Sequence, residues 1–95
     1  MTTCELRKKA AAVIQERGWC QDDYEDNGAV CTIGALNVAA GRTPDDEDLE
    51  QLSSVAESMG LFVLGGIAAW NDAPDRTQAE VIARLLDGCD DVSAE

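Results

Sequence analysis

Four cysteines are the side chains best suited to nucleophilic or metal chemistry in this sequence, and they lie far apart: Cys4, Cys20, Cys31 and Cys89. A catalytic thiol needs a base to take its proton, usually a histidine, and the sequence contains none. Zinc sites use closely spaced cysteines or histidines, such as C-x-x-C pairs, and no such pair occurs. We therefore expect no metal on these thiols, and we expect the cysteines to be small, reduced core residues.

The acidic segment that begins at Asp23 partly matches the calcium-binding loop of an EF-hand. Asp23, Glu25, Asn27 and Gly28 occupy positions one, three, five and six of that loop. The third position is normally Asp or Asn, and the twelfth, which should supply a bidentate glutamate, is Gly34. The sequence therefore favours a solvated acidic loop over a calcium site, and it predicts no cofactor.

A second group of acids follows Pro44, which together with Thr43 is typical of a helix start. Negative charge is favourable at a helix N-terminus, so these acids need no catalytic explanation. An apolar run begins shortly afterwards at Leu61, and apolar residues with a polar rim are typical of protein interfaces. The predicted partner-contact residues are Leu61, Phe62, Asp45, Asp46, Glu47 and Asp48.

Composition narrows the class of protein. The chain has 95 residues, of which 45% are apolar, enough for one folded core. Its 19 Asp and Glu against 7 Lys and Arg give a net charge of −12, which disfavours nucleic acids and anionic membranes as partners. No apolar run reaches the roughly 18 residues of a membrane span. The charged N-terminal segment does not resemble a signal peptide, so we expect a cytoplasmic protein.

Capping signals mark the first and last helices. Thr2 and Glu5 form a capping box, and Gly18 is typical of the residue that ends a helix. Thr77 and Glu80 form a second capping box ahead of an apolar stripe.

Between these ends, the sequence predicts a polar loop over residues 20–28 and a buried central helix over 30–40. A third helix is expected over 44–60, and a short helix or irregular turns over 61–70. The predicted fold is a single all-α domain over 1–95, a compact orthogonal bundle of four to five short helices. An acidic tail is expected from about residue 90.

A polar turn between the last two predicted helices combines a tryptophan with groups that can fix a backbone. It contains Trp70, Asn71, Asp72, Arg76 and Thr77. We interpret it as a structural corner in which Asp72 pairs with Arg76 and Asn71 binds free backbone groups. Asn37, in the apolar central helix, needs a buried partner, and this turn is the predicted one.

Three motifs in this order resemble a family of small uncharacterised proteins from actinobacteria and their phages. The motifs are Gly18-Trp19-Cys20, Cys31-Thr32-Ile33-Gly34-Ala35-Leu36, and Trp70-Asn71-Asp72-Ala73-Pro74-Asp75-Arg76-Thr77 followed by Glu80-Val81. The resemblance covers most of the chain. It implies a fold and a biological setting, but no activity or catalytic residue that could be transferred.

Two classes of function follow from these observations. The first is a non-enzymatic interaction module, phage-encoded, that binds and modulates a host protein, itself a monomer or weak homodimer. The alternative is a DNA mimic whose carboxylates occupy a nucleic-acid-binding protein, which requires residues 22–26, 45–50 and 87–91 on one face. An enzyme is disfavoured, because the sequence offers no base for a nucleophile and no clustered metal ligands; a pocket enclosing two carboxylates with raised pKa values would revive that class.

Overall fold

The computed structural model describes residues 2–46, 49–61, 66–87 and 89. Within them the chain is all-α with one small hairpin, which confirms the predicted fold class. The elements are α1 (Thr3–Arg17), β1 (Glu25–Asp26), β2 (Ala29–Val30), α2 (Thr32–Ala39), α3 (Leu49–Ser58), α4 (Gly66–Asn71) and α5 (Gln78–Leu86). The radius of gyration is 12.0 Å, close to the roughly 12.4 Å expected of a compact domain of this length. No helix in the described part is long and apolar enough to cross a membrane.

Helix α1 begins and ends where the sequence predicted. The Thr2 hydroxyl accepts the Glu5 amide hydrogen, and the Glu5 carboxylate accepts the Thr2 amide hydrogen, so the capping box is formed. Gly18 follows the helix with a φ of 92°, a conformation that side chains with a Cβ rarely adopt. Leu6, Ala10 and other residues of one α1 face are buried against α2 and α5.

A β-hairpin replaces part of the polar loop predicted over 20–28. Asn27 and Gly28 both have positive φ, 53° and 96°, as a two-residue hairpin turn requires. Glu25 pairs with Val30 and Asp26 with Ala29 in antiparallel register. The Asn-Gly turn signal was present in the sequence, but only two residues per strand surround it, too few to show alternation.

Helix α2 is the buried centre of the fold, as predicted. Ala35 and Leu36 are almost completely buried, and α2 packs mainly against α1. A Cβ built on Gly34 would lie 2.3 Å from the Tyr24 carbonyl oxygen, and the Cys31 amide donates to that same oxygen. The absence of a side chain at position 34 therefore lets the backbone just before β1 approach α2 closely.

Helix α3 does not include Pro44, contrary to prediction. Residues 43–46 form a turn in which the Asp46 amide donates to the Thr43 carbonyl, and α3 runs Leu49–Ser58. The Asn37 side-chain amide donates to the Pro44 and Asp46 carbonyls at 2.8 and 2.5 Å. These contacts hold the segment in a turn against α2 and correct the prediction that Asn37 binds the Trp70–Thr77 turn.

Helix α5 is capped as predicted, because Thr77 and Glu80 form the second capping box. Val81 and Leu85 on its inner face are fully buried. Gly88, the predicted terminator, and the acidic tail from residue 90 lie outside the described residues.

A buried arginine and a disulfide join the two ends of the described chain. The guanidinium of Arg7, in α1, donates to the Arg84 and Asp87 carbonyls at the end of α5, at 2.9 and 2.7 Å. Cys4 and Cys89 are disulfide-bonded, with 5.6 Å between their Cα atoms. The prediction that all four cysteines are reduced is therefore wrong for this pair. The separation of 85 residues left no local spacing from which the pair could be found.

Candidate functional site

The side chain of Asn71 joins three segments of the chain. Its Oδ1 atom accepts hydrogen bonds from the Trp19 indole (2.7 Å), the Thr32 amide (2.9 Å) and the Thr32 hydroxyl (2.6 Å). Its Nδ2 atom donates to the Cys20 carbonyl and to Asp72 Oδ1. Asn71 is only 1% exposed, so these contacts satisfy groups that would otherwise lack water. The prediction that Asn71 binds free backbone groups is confirmed.

Asp72 also fixes the corner, but its partner is not the predicted Arg76. Asp72 Oδ1 accepts the Asp22 amide at 3.0 Å, and Asp22 has a φ of 68°. The Gln21 side chain adds a second link, since its Nε2 donates to the Asn71 and Ala73 carbonyls at 3.0 and 2.9 Å. The segment after α1 is thus bonded to the end of α4, and Gln21 was not singled out from the sequence.

Arg76 stacks on a tryptophan instead of pairing with Asp72. Its guanidinium carbon lies 4.2 Å from the centroid of the Trp70 ring, its Nε donates to the Trp70 carbonyl, and its Nη1 lies 3.7 Å from Glu80. The ring's negative face attracts the cation. Thr77 serves as the α5 N-cap, so contacts fix each end of this turn, with pairings that differ from the predicted one.

A cleft of about 300 Å³ opens beside this corner, between the segment that precedes β1, the start of α2, and α4 with the residue that follows it. Its lining combines three exposed carboxylates with a mainly apolar remaining surface. We call it the acidic cleft; its lining residues are Asp22, Asp23, Tyr24, Cys31, Ile33, Ala68, Asn71 and Asp72. Negative charge beside an apolar surface suits a cationic group carried on an apolar stem, such as an arginine or lysine side chain.

The two free cysteines of the described residues lie at or beside this cleft. Burial, with the nearby Cys31 and several aspartates, raises the pKa of Cys20 to about 11. Burial also raises the pKa of Cys31, whose sulfur accepts the Gly34 amide hydrogen and caps α2. Both thiols therefore hold their protons at neutral pH, which is unfavourable for a nucleophile.

The predicted partner-contact residues are not brought together as expected. Leu61 is only 6% exposed and belongs to the core, so its selection as an exposed contact was wrong. Its amide donates to the Ala56 carbonyl of α3, and its side chain packs in the core cluster. Asp45 and Asp46 are exposed. Phe62, Glu47 and Asp48 lie outside the described residues.

The acidic hairpin is not arranged as a calcium loop. Glu25 forms an ion pair with Arg17, whose Nε also donates to the Gly28 carbonyl at 2.8 Å. Across residues 2–46, 49–61, 66–87 and 89, no group of three or more cysteine, aspartate or glutamate side chains could hold a metal ion.

Fold and site together define a small helical protein in which one asparagine joins the post-α1 segment to α2 and α4, next to an acidic cleft. The chain belongs to DUF6197, a family of unknown function whose sequence model matches residues 1–90. Comparison with curated proteins and with solved structures gives no match.

Proposed function

We propose that this protein is a non-enzymatic interaction module that binds a basic segment of a partner protein at the acidic cleft. The observation that carries the proposal is the cleft itself, whose lining combines Asp22, Asp23 and Asp72 with the apolar side chains of Ile33 and Ala68. A basic side chain could place its alkyl stem on these apolar side chains and its charge among the carboxylates.

The distribution of the basic residues supports a cationic partner. Arg7 is buried, Arg17 pairs with Glu25, Arg76 stacks on Trp70, and Arg84 donates to the Met59 carbonyl. These four guanidinium groups all make contacts within the chain, and Lys8, Lys9 and Arg42 are the remaining basic residues. The net charge of −12 gives the molecule a negative outer field, which attracts positive partners and raises their rate of association.

The state of the thiols argues against covalent catalysis. Cys31 lines the cleft and Cys20 lies beside it, yet both have raised pKa values. With no histidine in the sequence, neither has the usual base to activate it.

From the biological setting of the resemblance, we propose that the chain is encoded by an actinobacterium or its phage and that the partner is a host protein. Genes for virion or lysis proteins beside its own gene would support the phage origin. We place the interaction in the cytoplasm and treat the protein as a monomer or weak homodimer. The Cys4–Cys89 disulfide is unusual for that compartment, so fractionation of the native host is the direct check.

The test compares three forms of the full chain as bait in an actinobacterial lysate, with bound proteins identified by mass spectrometry. The cleft variant is Asp22→Asn, Asp23→Asn and Asp72→Asn, in which the amide oxygen at position 72 can still accept the Asp22 amide. The control is Glu16→Gln, Glu57→Gln and Asp75→Asn, which changes the net charge equally at exposed positions elsewhere.

We expect the wild type and the control to retain the same protein and the cleft variant to lose at least about tenfold, or 1.4 kcal/mol, in affinity. Equal retention by the cleft variant would contradict the proposal. A partner that duplex DNA displaces, and that the control variant loses as well, would favour the DNA-mimic alternative.

A further inference from the structure

The strand register places Cys20 beside Cys31. Trp19 and Val30 form a parallel bridge, in which the Cys20 amide donates to the Val30 carbonyl and the Val30 amide to the Gly18 carbonyl, both at 3.1 Å. Cys20 and Cys31 are the next residues in each segment. Neighbouring strands lie roughly 4.8 Å apart, and residues in register point to the same side.

The usual spacing of neighbouring strands lies within the Cα separation of about 4.4–6.8 Å that a disulfide requires. We propose that Cys20 and Cys31 form a second, inducible disulfide, a modification site distinct from the Cys4–Cys89 pair. The site is independent of the partner binding proposed above.

The surroundings of the two sulfurs give them different roles. Cys20 is half-buried, and its sulfur has only weak contacts, 3.4 Å to the Asp23 carbonyl and 3.6 Å to the Ala29 carbonyl. Its side chain can therefore turn and meet a small oxidant. Cys31 is 6% exposed, so it acts second, from within the protein.

The oxidant is a low-molecular-weight disulfide such as oxidised glutathione. The Cys20 thiolate attacks one sulfur of the oxidant, the oxidant's S–S bond breaks, and one glutathione thiolate leaves. The Cys31 thiolate then attacks the sulfur of Cys20 and displaces the second glutathione thiolate. The two protein protons go to the two leaving thiolates, so the protein loses two electrons and one oxidised glutathione becomes two thiols.

Formation of this bond would change one wall of the acidic cleft. Cys31 lines the cleft and caps α2 through the Gly34 amide. A bond to Cys20 would tie the segment after α1 covalently to that cap. The protons held by both thiols at neutral pH make the exchange slow there, and it accelerates with rising pH.

The experiment exposes the full chain, purified without reductant, to graded ratios of oxidised to reduced glutathione at pH 8.5. Free thiols are then alkylated and the protein is digested with trypsin. Cleavage after Arg17 and Arg42 releases both cysteines in one peptide, residues 18–42, since no Lys or Arg lies between them.

We expect a fraction of this peptide, rising with the oxidant ratio, to be lighter by two hydrogen atoms and to carry no alkyl group. Cys31→Ser should abolish that species and accumulate glutathione on Cys20, because the second thiol is missing. Ser is itself a good N-cap, so this variant should keep the start of α2 intact. Cys20→Ser should yield neither product. The proposal would be overturned if the wild-type peptide only gained glutathione, or stayed doubly alkylated at every ratio. This result does not depend on whether either variant folds.

Discussion

Asn71 and Asn37 are both about 1% exposed, and each holds one end of α2. At the N-terminal end, Asn71 Oδ1 accepts three donors, two of them from Thr32. At the C-terminal end, the Asn37 amide donates to the Pro44 and Asp46 carbonyls, and its Oδ1 has no hydrogen-bond partner in the described part of the chain. Both polar atoms of the Asn71 side chain therefore form hydrogen bonds, whereas only the Nδ2 atom of Asn37 does.

This difference has an energetic meaning. The donors that depend on Asn71 include the buried Thr32 amide and hydroxyl, which water would not reach if the asparagine were removed. The carbonyls that depend on Asn37 belong to a turn whose residues Asp45 and Asp46 are exposed, so water can replace the amide there. We therefore expect the N-terminal end of α2 to depend more strongly on its asparagine.

The largest effect is predicted for Asn71→Ala. Three donors lose their acceptor, and each unsatisfied buried group costs about 1–3 kcal/mol, so the free energy of unfolding should fall by about 4 kcal/mol. Small domains have only about 5–15 kcal/mol in total, so this variant should lie near the limit of folding. Urea unfolding followed by far-UV circular dichroism measures the loss.

The control for Asn71→Ala is Asp75→Ala, an exposed change in the same turn that should shift the unfolding free energy by less than about 0.5 kcal/mol. Should Asn71→Ala lose only as much as this control, Asn71 would not be the centre of the corner.

Asn71 could be found from the sequence because polar side chains beside tryptophan in a turn need buried partners. The ends of α1 and α5 could be predicted for a related reason. Capping depends on residues three positions apart, Thr2 with Glu5 and Thr77 with Glu80, and both capping boxes are formed. Interactions between residues this close in sequence can be predicted from a single sequence.

The features that the sequence did not predict depend on contacts between distant residues. Asn37 binds the turn before α3, rather than the Trp70–Thr77 corner, because the chain returns there immediately after α2. The Cys4–Cys89 pair and the burial of Leu61 likewise depend on how the helices assemble. Burial of one residue in a uniformly apolar run cannot be deduced from the run itself.

An intermediate effect is predicted for Asn37→Ala. The variant loses two hydrogen bonds to carbonyls that water can reach, and it also removes an unpartnered buried oxygen. The free energy of unfolding should fall by about 2 kcal/mol, half the effect at Asn71. The same urea titration measures it, with Asp75→Ala again as the exposed control. A loss as large as that of Asn71→Ala would mean that both ends of α2 depend equally on their asparagines, contrary to our expectation.

The smallest effect concerns pH and is confined to the N-terminal end of α2, where Cys20 lies beside the Cys31 cap. The pKa of Cys20 is raised from about 9 to about 11, so between these values only the unfolded chain loses the proton. Folding stability from this group is fully present below pH 9 and is lost as pH rises towards 11.

The rate of Cys20 alkylation by iodoacetamide follows the fraction of thiolate and so reports this pKa directly. We expect the rate in the folded protein to keep rising to about pH 11, whereas in concentrated urea it should level off about two pH units earlier.

Cys31→Ser separates the two thiols, because it leaves Cys20 as the only free one in the described chain and removes a charge that contributes to the shift. Its folded profile should move slightly downward. Identical profiles in the folded and urea-unfolded protein would mean that Cys20 is as hydrated as a free thiol, and that its partial burial does not raise its pKa.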